Sequence, residues 1–407
     1  MVTQDSNRTM HLGEQVALVA LMISLVALCI DAMLPALDII GADLNVSSPN
    51  DAQLVVSSFF IGLAFGQMFY GPWSDSAGRR LPIYIGFAMF FAGTAISIFA
   101  HNFETMLAGR FLQGFGAAGP RIVTIAVIRD QYAGRGMARV MSMIMAVFIL
   151  VPAIAPALGQ AVMLFAGWRA IFWSFLIIGF IAFTWFAVRQ PETLPPEARM
   201  PFSLKRIFAG IAETSTNRIA FGYTLGLGMI FAPFVGYLVS AQAVFTKQYG
   251  LAELFPIYFG ALALAVGVSS VINSKLVVKH GMRYLSRVAL IILCALAFPF
   301  LALTWVFDGN PPLWIMMTFF MLMFLVIGVA FGNFNAMAME PMGHIAGIAA
   351  AFIASVSTFI SVPLGTWIGL SFNGTIYPLV IGFAVFGAGA LVAMEWTEWG
   401  AEAAEAS

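Results

Sequence analysis

Residues Gly71-Pro-Trp-Ser-Asp75-Ser-Ala-Gly78-Arg79-Arg80, GPWSDSAGRR, lie between two long apolar runs. Charged side chains occupy only 9% of the 407 positions, yet an acid and two adjacent arginines crowd into this gap. A soluble domain carries roughly a quarter charged residues, whereas this chain is 61% hydrophobic. Apolar runs of the roughly 20 residues that cross a bilayer recur along its whole length. A membrane β-barrel would show short alternating segments instead. The composition therefore points to an all-α membrane protein, with the lipid bilayer as its solvent.

Working outward from the gap, six spans fall at about residues 15–37, 53–73, 81–100, 105–128, 138–165 and 170–188. Six more fall at about 219–245, 255–278, 286–307, 313–339, 346–371 and 376–396. Between the two sets runs RQPETLPPEARMPFSLKR, rich in proline and charge, which reads as a linker. The expected organisation is a six-helix bundle over 1–188, a cytoplasmic linker over 189–217, and a second six-helix bundle over 218–407 with a short acidic tail. The polar start, MVTQDSNRTMHLGEQ, leads into an apolar run too long for a signal peptide and is read as preceding an uncleaved first span.

Lys and Arg collect on one side of this arrangement: Arg8, Arg79, Arg80, Arg129, Arg135, Arg139, Arg189, Arg199, Lys205, Arg206, Arg218, Lys275, Lys279, Arg283 and Arg287. Arg169 and Lys247 fall on the other side. The asymmetry puts both termini in the cytoplasm, as an even number of spans also requires. GPWSDSAGRR is then the cytoplasmic turn between spans two and three. Its arginines serve as topology anchors, a reading that leaves Asp75 unexplained. The halves also echo each other. Gly78-Arg79 recurs as Gly281-Met-Arg283, and Phe148-Ile-Leu-Val-Pro152 recurs as Phe359-Ile-Ser-Val-Pro363, so corresponding motifs sit in corresponding spans.

Gly71, Asp75, Gly78, Arg79 and Arg80 resemble the loop signature of the major facilitator superfamily. Asp31-Ala-Met-Leu-Pro35, Arg110-x-x-Gln113-Gly-x-Gly116, Arg129-Asp130, and Pro341 followed by Ala346-Gly347 resemble the Bcr/CflA group of drug:proton antiporters. The resemblance implies twelve transmembrane helices in two pseudo-symmetric bundles. It also implies proton-coupled efflux of small amphipathic compounds by a bacterial inner-membrane protein that works as a monomer. Export of an endogenous metabolite or siderophore-like compound is the alternative. Asp75 is expected to reach the amino end of span eleven, near His344–Ala346. Together with Gly71, Gly78, Arg79, Arg80, Arg129, Asp130 and Glu340 it would form a cytoplasmic gate. The plain alternative for Asp75 is a solvated loop acid.

Inside the spans, Asp31, Arg110 and Arg121 each cost ~2.5–3.5 kcal/mol if they face lipid, so they should face protein or a wet cavity. Arg110 and Arg121 share a helical face with Gln113, Gly114, Ala117 and Thr124. Asp31 is the candidate proton carrier with Arg110 as coupling partner; a static Asp31–Arg110 ion pair is the alternative. Gln113 and Arg121 are candidate lining of the substrate cavity. Pro152, Pro156 and Gly159 resemble the antiporter motif that bends span five, with Val151 where that pattern has glycine. Glu14 and Asp38 read as solvated, and Tyr223, Tyr237 and Trp305 take no assignment.

Zero net formal charge gives no case for nucleic acid as a partner. The two cysteines lie in apolar runs, and the four histidines form no HxxxH or HExxH pattern, so no metal or cofactor is expected. No phosphate-binding Gly-x-x-x-x-Gly-Lys loop is present either. These features argue against a membrane-embedded enzyme and against direct ATP use.

Overall fold

The computed structural model describes residues 10–48 and 50–405, and gives no side chains for 135, 138 and 400–405. Arg8 and the side chain of Arg135 therefore lie outside the described residues. Thirteen α-helices and no strand are present among them. In order they are α1 (Leu12–Asp31), the short α2 (Leu37–Asp43), α3 (Leu54–Ala77), α4 (Arg80–Ile98), α5 (Phe103–Gln131) and α6 (Gly134–Arg189). Then follow α7 (Leu204–Thr216), α8 (Arg218–Ala243), α9 (Phe255–His280), α10 (Met282–Val306), α11 (Leu313–Met339), α12 (Ala346–Leu370) and α13 (Tyr377–Glu405).

Among the described residues, ten continuous helical runs are long and apolar enough to cross a membrane. Two of them hold two spans each, which accounts for all twelve expected. One of these is α6, whose backbone breaks at Gly167 (φ 72°, ψ 177°), where spans five and six meet. Around Pro152 and Pro156 no such break occurs. The other runs from α11 through a short 3-10 segment, Glu340–Ile345, into α12.

The first span is divided rather than continuous over 15–37. Proline lacks an N–H and its ring clashes with the carbonyl four residues earlier, which for Pro35 is that of Asp31. Helix α1 stops at Asp31, and Leu34–Ala36 forms a 3-10 turn before α2 begins. The linker also differs from expectation, because it folds α7, capped by the Ser203 hydroxyl accepting from the Arg206 N–H at 3.3 Å. Gly210 of α7 lies against Ile348 of α12, and His344 meets Glu213 at 2.6 Å.

Small residues set the helix spacing. A Cβ on Gly62 would lie 1.9 Å from the Phe111 carbonyl oxygen, and one on Gly114 would lie 2.0 Å from that of Phe59. Helices α3 and α5 thus touch backbone to backbone.

Two seams join the halves. Along the first, α3 and α12 run antiparallel in steady register. Thr366 donates to Ser57 at 2.7 Å, the rings of Phe65 and Phe359 meet edge-on at 4.9 Å, and Gly71 abuts Ala351. Along the second, Gly260 and Gly267 of α9 lie against Ala153 and Ile149 of α6. At the end remote from GPWSDSAGRR, Asp38 bonds Lys247 at 2.9 Å and Gln242 at 2.8 Å, so it is not a merely solvated acid. Glu14 is likewise paired, with Arg189 at 2.7 Å, which ties the start of α1 to the end of α6.

Candidate functional site

Two groups of polar side chains stand out, one within the spans and one at the GPWSDSAGRR end. In the first, Arg110 is completely buried, with 0% exposure. Its guanidinium donates to the Val55 carbonyl at 3.1 Å, the Cys29 carbonyl at 3.0 Å, and the Gln113 side chain. The rings of Phe59 and Phe172 flank it at 4.6 and 5.7 Å. Gln113 passes the chain on to the Thr94 hydroxyl at 2.8 Å. A desolvated cation over aromatic faces gains about 2 kcal/mol, and carbonyl acceptors supply the rest of its solvation. Arg110 therefore clasps α1, α3, α4 and α5 without an acid, and no Asp31–Arg110 ion pair exists. Gln113 is engaged at both ends of its amide.

Asp31 stands apart from this clasp. Only 4% of it is exposed, and among the described residues it has neither a hydrogen bond nor an ion pair. The break at Pro35 leaves it at the end of α1. Next to it, the Ala32 carbonyl lies only 1.6 Å from where a Cβ on Gly159 would sit, so Gly159 lets α6 close on the break. In α8 of the other half, the Tyr237 hydroxyl is buried without a hydrogen-bond partner among the described residues. The Tyr237 ring stacks on Phe259 at 5.6 Å and meets Phe324 edge-on at 4.8 Å. Sequence reasoning left Tyr237 unassigned because one aromatic among so many carries no local signal. Arg121, after Pro120, likewise has no hydrogen bond or ion pair among the described residues.

The second group brings Asp75, Gly78, Arg79 and Asp130 together. Arg79 Nη1 donates to Asp75 Oδ1 at 2.6 Å and to the buried Ser74 hydroxyl at 3.1 Å. Its Nε and Nη2 fork onto Asp130, at the end of α5, at 2.8 and 3.1 Å. Burial works against the Arg79 charge, but Asp130 and Asp75 outweigh it and raise its pKa above the ordinary value. The other Asp75 oxygen, Oδ2, lies 2.7 Å from the position of a Cβ on Gly347, in the first turn of α12. Helix N-termini carry partial positive charge, so the acid and the helix end attract across the seam. Arg129 is exposed and outside this network, and Arg80 turns away to Tyr84 and the Ala187 carbonyl.

Glu192 completes the group, although in sequence it is no more than an acid in a loop. Its carboxylate accepts the backbone N–H groups of Arg79 at 2.8 Å, Arg80 at 3.1 Å, and Thr193 and Leu194 at 3.0 Å each. Burial pushes its pKa up, but these four donors prevail and hold it below its ordinary value. Gly78 adopts φ 89°, and a Cβ there would come within 2.7 Å of the Glu192 carboxylate. Glycine is needed on both counts.

In the second half, Gly281 adopts φ 79° and Arg283 bonds Glu340, at the end of α11, at 2.9 Å. Glu340 thus joins a counterpart cluster with Arg283 and Glu398 rather than the one around Arg79.

Residues 19–366 match the Major Facilitator Superfamily. An uncharacterized MFS-type transporter of Bacillus subtilis, YdgK, is 31% identical over 345 residues, spanning 84% of this chain and 85% of the relative. A bicyclomycin resistance protein homolog of Haemophilus influenzae is 30% identical over 353 residues, 86% of this chain and 87% of the relative. The multidrug resistance protein MdtL of Escherichia coli matches at 36% over 152 residues, 37% of this chain and 38% of the relative. Among solved structures, a D-xylose–proton symporter superposes with a TM-score of 0.72 at 15% identity, covering 95% of this chain and 97% of that one. The human organic anion transporter MFSD10 does so with a TM-score of 0.68, also at 15% identity, covering 96% of this chain and 100% of that one. With its twelve spans and these relatives, the chain belongs to the major facilitator superfamily and is a multi-pass membrane transporter rather than an enzyme.

Proposed function

We propose that the protein exports small amphipathic compounds, drug-like or toxic, across the bacterial inner membrane in exchange for protons. The names of the bicyclomycin- and multidrug-resistance relatives favour export of such compounds. In this reading both termini are cytoplasmic and a monomer suffices. Residues 1–188 and 218–407 move as two bodies joined by 189–217, and a central site faces each side of the membrane in turn.

The observation that carries the reading is Asp31, an acid at a helix break, nearly buried and bound to no partner among the described residues. An acid without a fixed counter-ion can gain and lose a proton as its surroundings change, whereas one locked to an arginine is held ionised. A charge moving through the membrane potential contributes about 2.3 kcal/mol per 100 mV, enough to drive cargo uphill. Tyr237 and its neighbouring rings offer the apolar face that an amphipathic guest requires, while Arg110 acts as scaffold. Arg121 is the cation left for polar groups of a guest.

The test is export by energised inverted vesicles, with a compound panel and a pH-sensitive dye. One or more compounds should release protons through the wild-type protein, and Asp31→Asn should reduce that response at least tenfold. An unchanged response in Asp31→Asn removes the carrier from the mechanism.

A further inference from the structure

The linker grips the motif turn at both ends. Glu192 holds the backbone N–H groups of Arg79 and Arg80, and the Met200 N–H donates to the Asp75 carbonyl at 3.0 Å. Between these points, the Thr193 hydroxyl donates to Asp130 at 2.9 Å. Three residues beyond Met200, Ser203 caps α7, which is seated on the other half through Gly210 on Ile348 and Glu213 on His344. Helix α7 thus rides on the helix whose first turn faces the Asp75 carboxylate. The same two bodies are joined twice at this end, once by Asp75 and once by the linker.

We infer that residues 192–216 are a strap that reports the position of α12 to the motif turn, and that Glu192 is the positioning residue that fastens it. The inference rests on the two-body reading above. A turn whose residue at φ 89° sits between an acid and a double arginine has little intrinsic preference for one conformation. The two turn N–H groups, of Arg79 and Arg80, held by one carboxylate supply that preference, and the Thr193 and Leu194 N–H groups hold the carboxylate in place. When α12 moves away, α7 moves with it, and residues 200–203 pull on the Asp75 carbonyl. The strap and the Asp75 contact therefore break or form together. No part of this requires a particular cargo.

Spin labels at Ala133→Cys and Lys279→Cys, in a Cys294→Ser background with Cys29 buried, span the GPWSDSAGRR end of the full-length protein in lipid vesicles. The wild-type label pair should give one dominant short distance. Glu192→Gln keeps the shape of the side chain but not its charge, and should raise the long-distance population about tenfold. A six-residue Gly-Ser insertion after Pro201 leaves every Glu192 bond possible but slackens the path to α7. It should produce the same shift, with both proteins monodisperse on gel filtration. Wild-type distances in the insertion variant overturn the strap, whatever Glu192→Gln does. Wild-type distances in Glu192→Gln overturn the fastening role. Since neither measurement needs cargo or a proton gradient, failure of the export reading leaves the result interpretable.

Discussion

The clusters around Arg79 and Arg283 are built on one plan and come to different ends. In each, a glycine at positive φ turns the chain, and an arginine just beyond it reaches an acid at the end of the next span but one in the half. The side chains of Arg79 and Asp130 are 4% and 14% exposed, while those of Arg283 and Glu340 are 47% and 50% exposed. Three residues before Gly281, where the first half has Asp75, stands Val278, 87% exposed. Met282 also lengthens the turn by one residue. Among the described residues the second cluster therefore has no acid aimed across a seam and no linker segment bonded to its turn. Of the two turns, the one at Gly78 meets the other half, through Asp75 at Gly347. The seam of α3 with α12 is fastened at this end by charge, and that of α6 with α9 by the packing of small residues.

The largest separation between the clusters should appear when each arginine is removed. Arg79→Ala strands two partly buried acids, a change that costs ~3–5 kcal/mol when a buried pair is broken. Arg283→Ala breaks an exposed pair with Glu340, worth about 0.2–1 kcal/mol, and one with the mostly buried Glu398 in which the arginine itself is half-exposed. Thermal unfolding in detergent should show a clear drop for the first and almost none for the second. Equal losses would mean that burial does not distinguish the clusters.

A smaller effect is expected from Asp75→Asn, which leaves Arg79 on Asp130 but removes the charge facing α12. Transport should fall about tenfold with insertion and expression preserved, consistent with the roughly 1–2 kcal/mol of a well-placed charge at a helix end. A wild-type rate would reduce Asp75 to a loop acid.

The smallest effect concerns pH. Glu192 has a pKa in the folded protein below its ordinary value of 4.5, so its contribution is complete above pH 4.5 and is lost as pH falls through the folded value. The backbone N–H groups of Arg79, Arg80, Thr193 and Leu194 hold it there against burial. Between pH 5 and 8 the label distance should be flat. Below pH 4.5 it should lengthen in the wild type more than in Glu192→Gln, and identical profiles would remove Glu192 from the titration.

The comparison also marks what a sequence can carry. Apolar runs write the spans directly, since crossing a bilayer needs about 20 apolar residues whatever their neighbours. Asp75, Arg79 and Asp130 were legible because their spacing is local to turns and span ends. Arg110 was legible as buried but not as satisfied, because its acceptors are carbonyls of Val55 and Cys29, and every residue has a carbonyl. The helix in the linker was hidden by the prolines and charges around it, although Leu204, Ile207, Phe208 and Ile211 have helical spacing. Glu192 was out of reach for a different reason. Two of its four N–H donors, those of Arg79 and Arg80, reach it only after the linker folds back on α4.

The Phe65–Phe359 pair lies midway along both α3 and α12, with Ser57 and Thr366 toward one end and Gly71 and Ala351 toward the other. Two rods that meet at top, centre and bottom can part at one tip by tilting about their middle. Those two rings then form a fulcrum, travelling least while the tips travel most, and their soft edge-on contact tolerates rotation better than a hydrogen bond would.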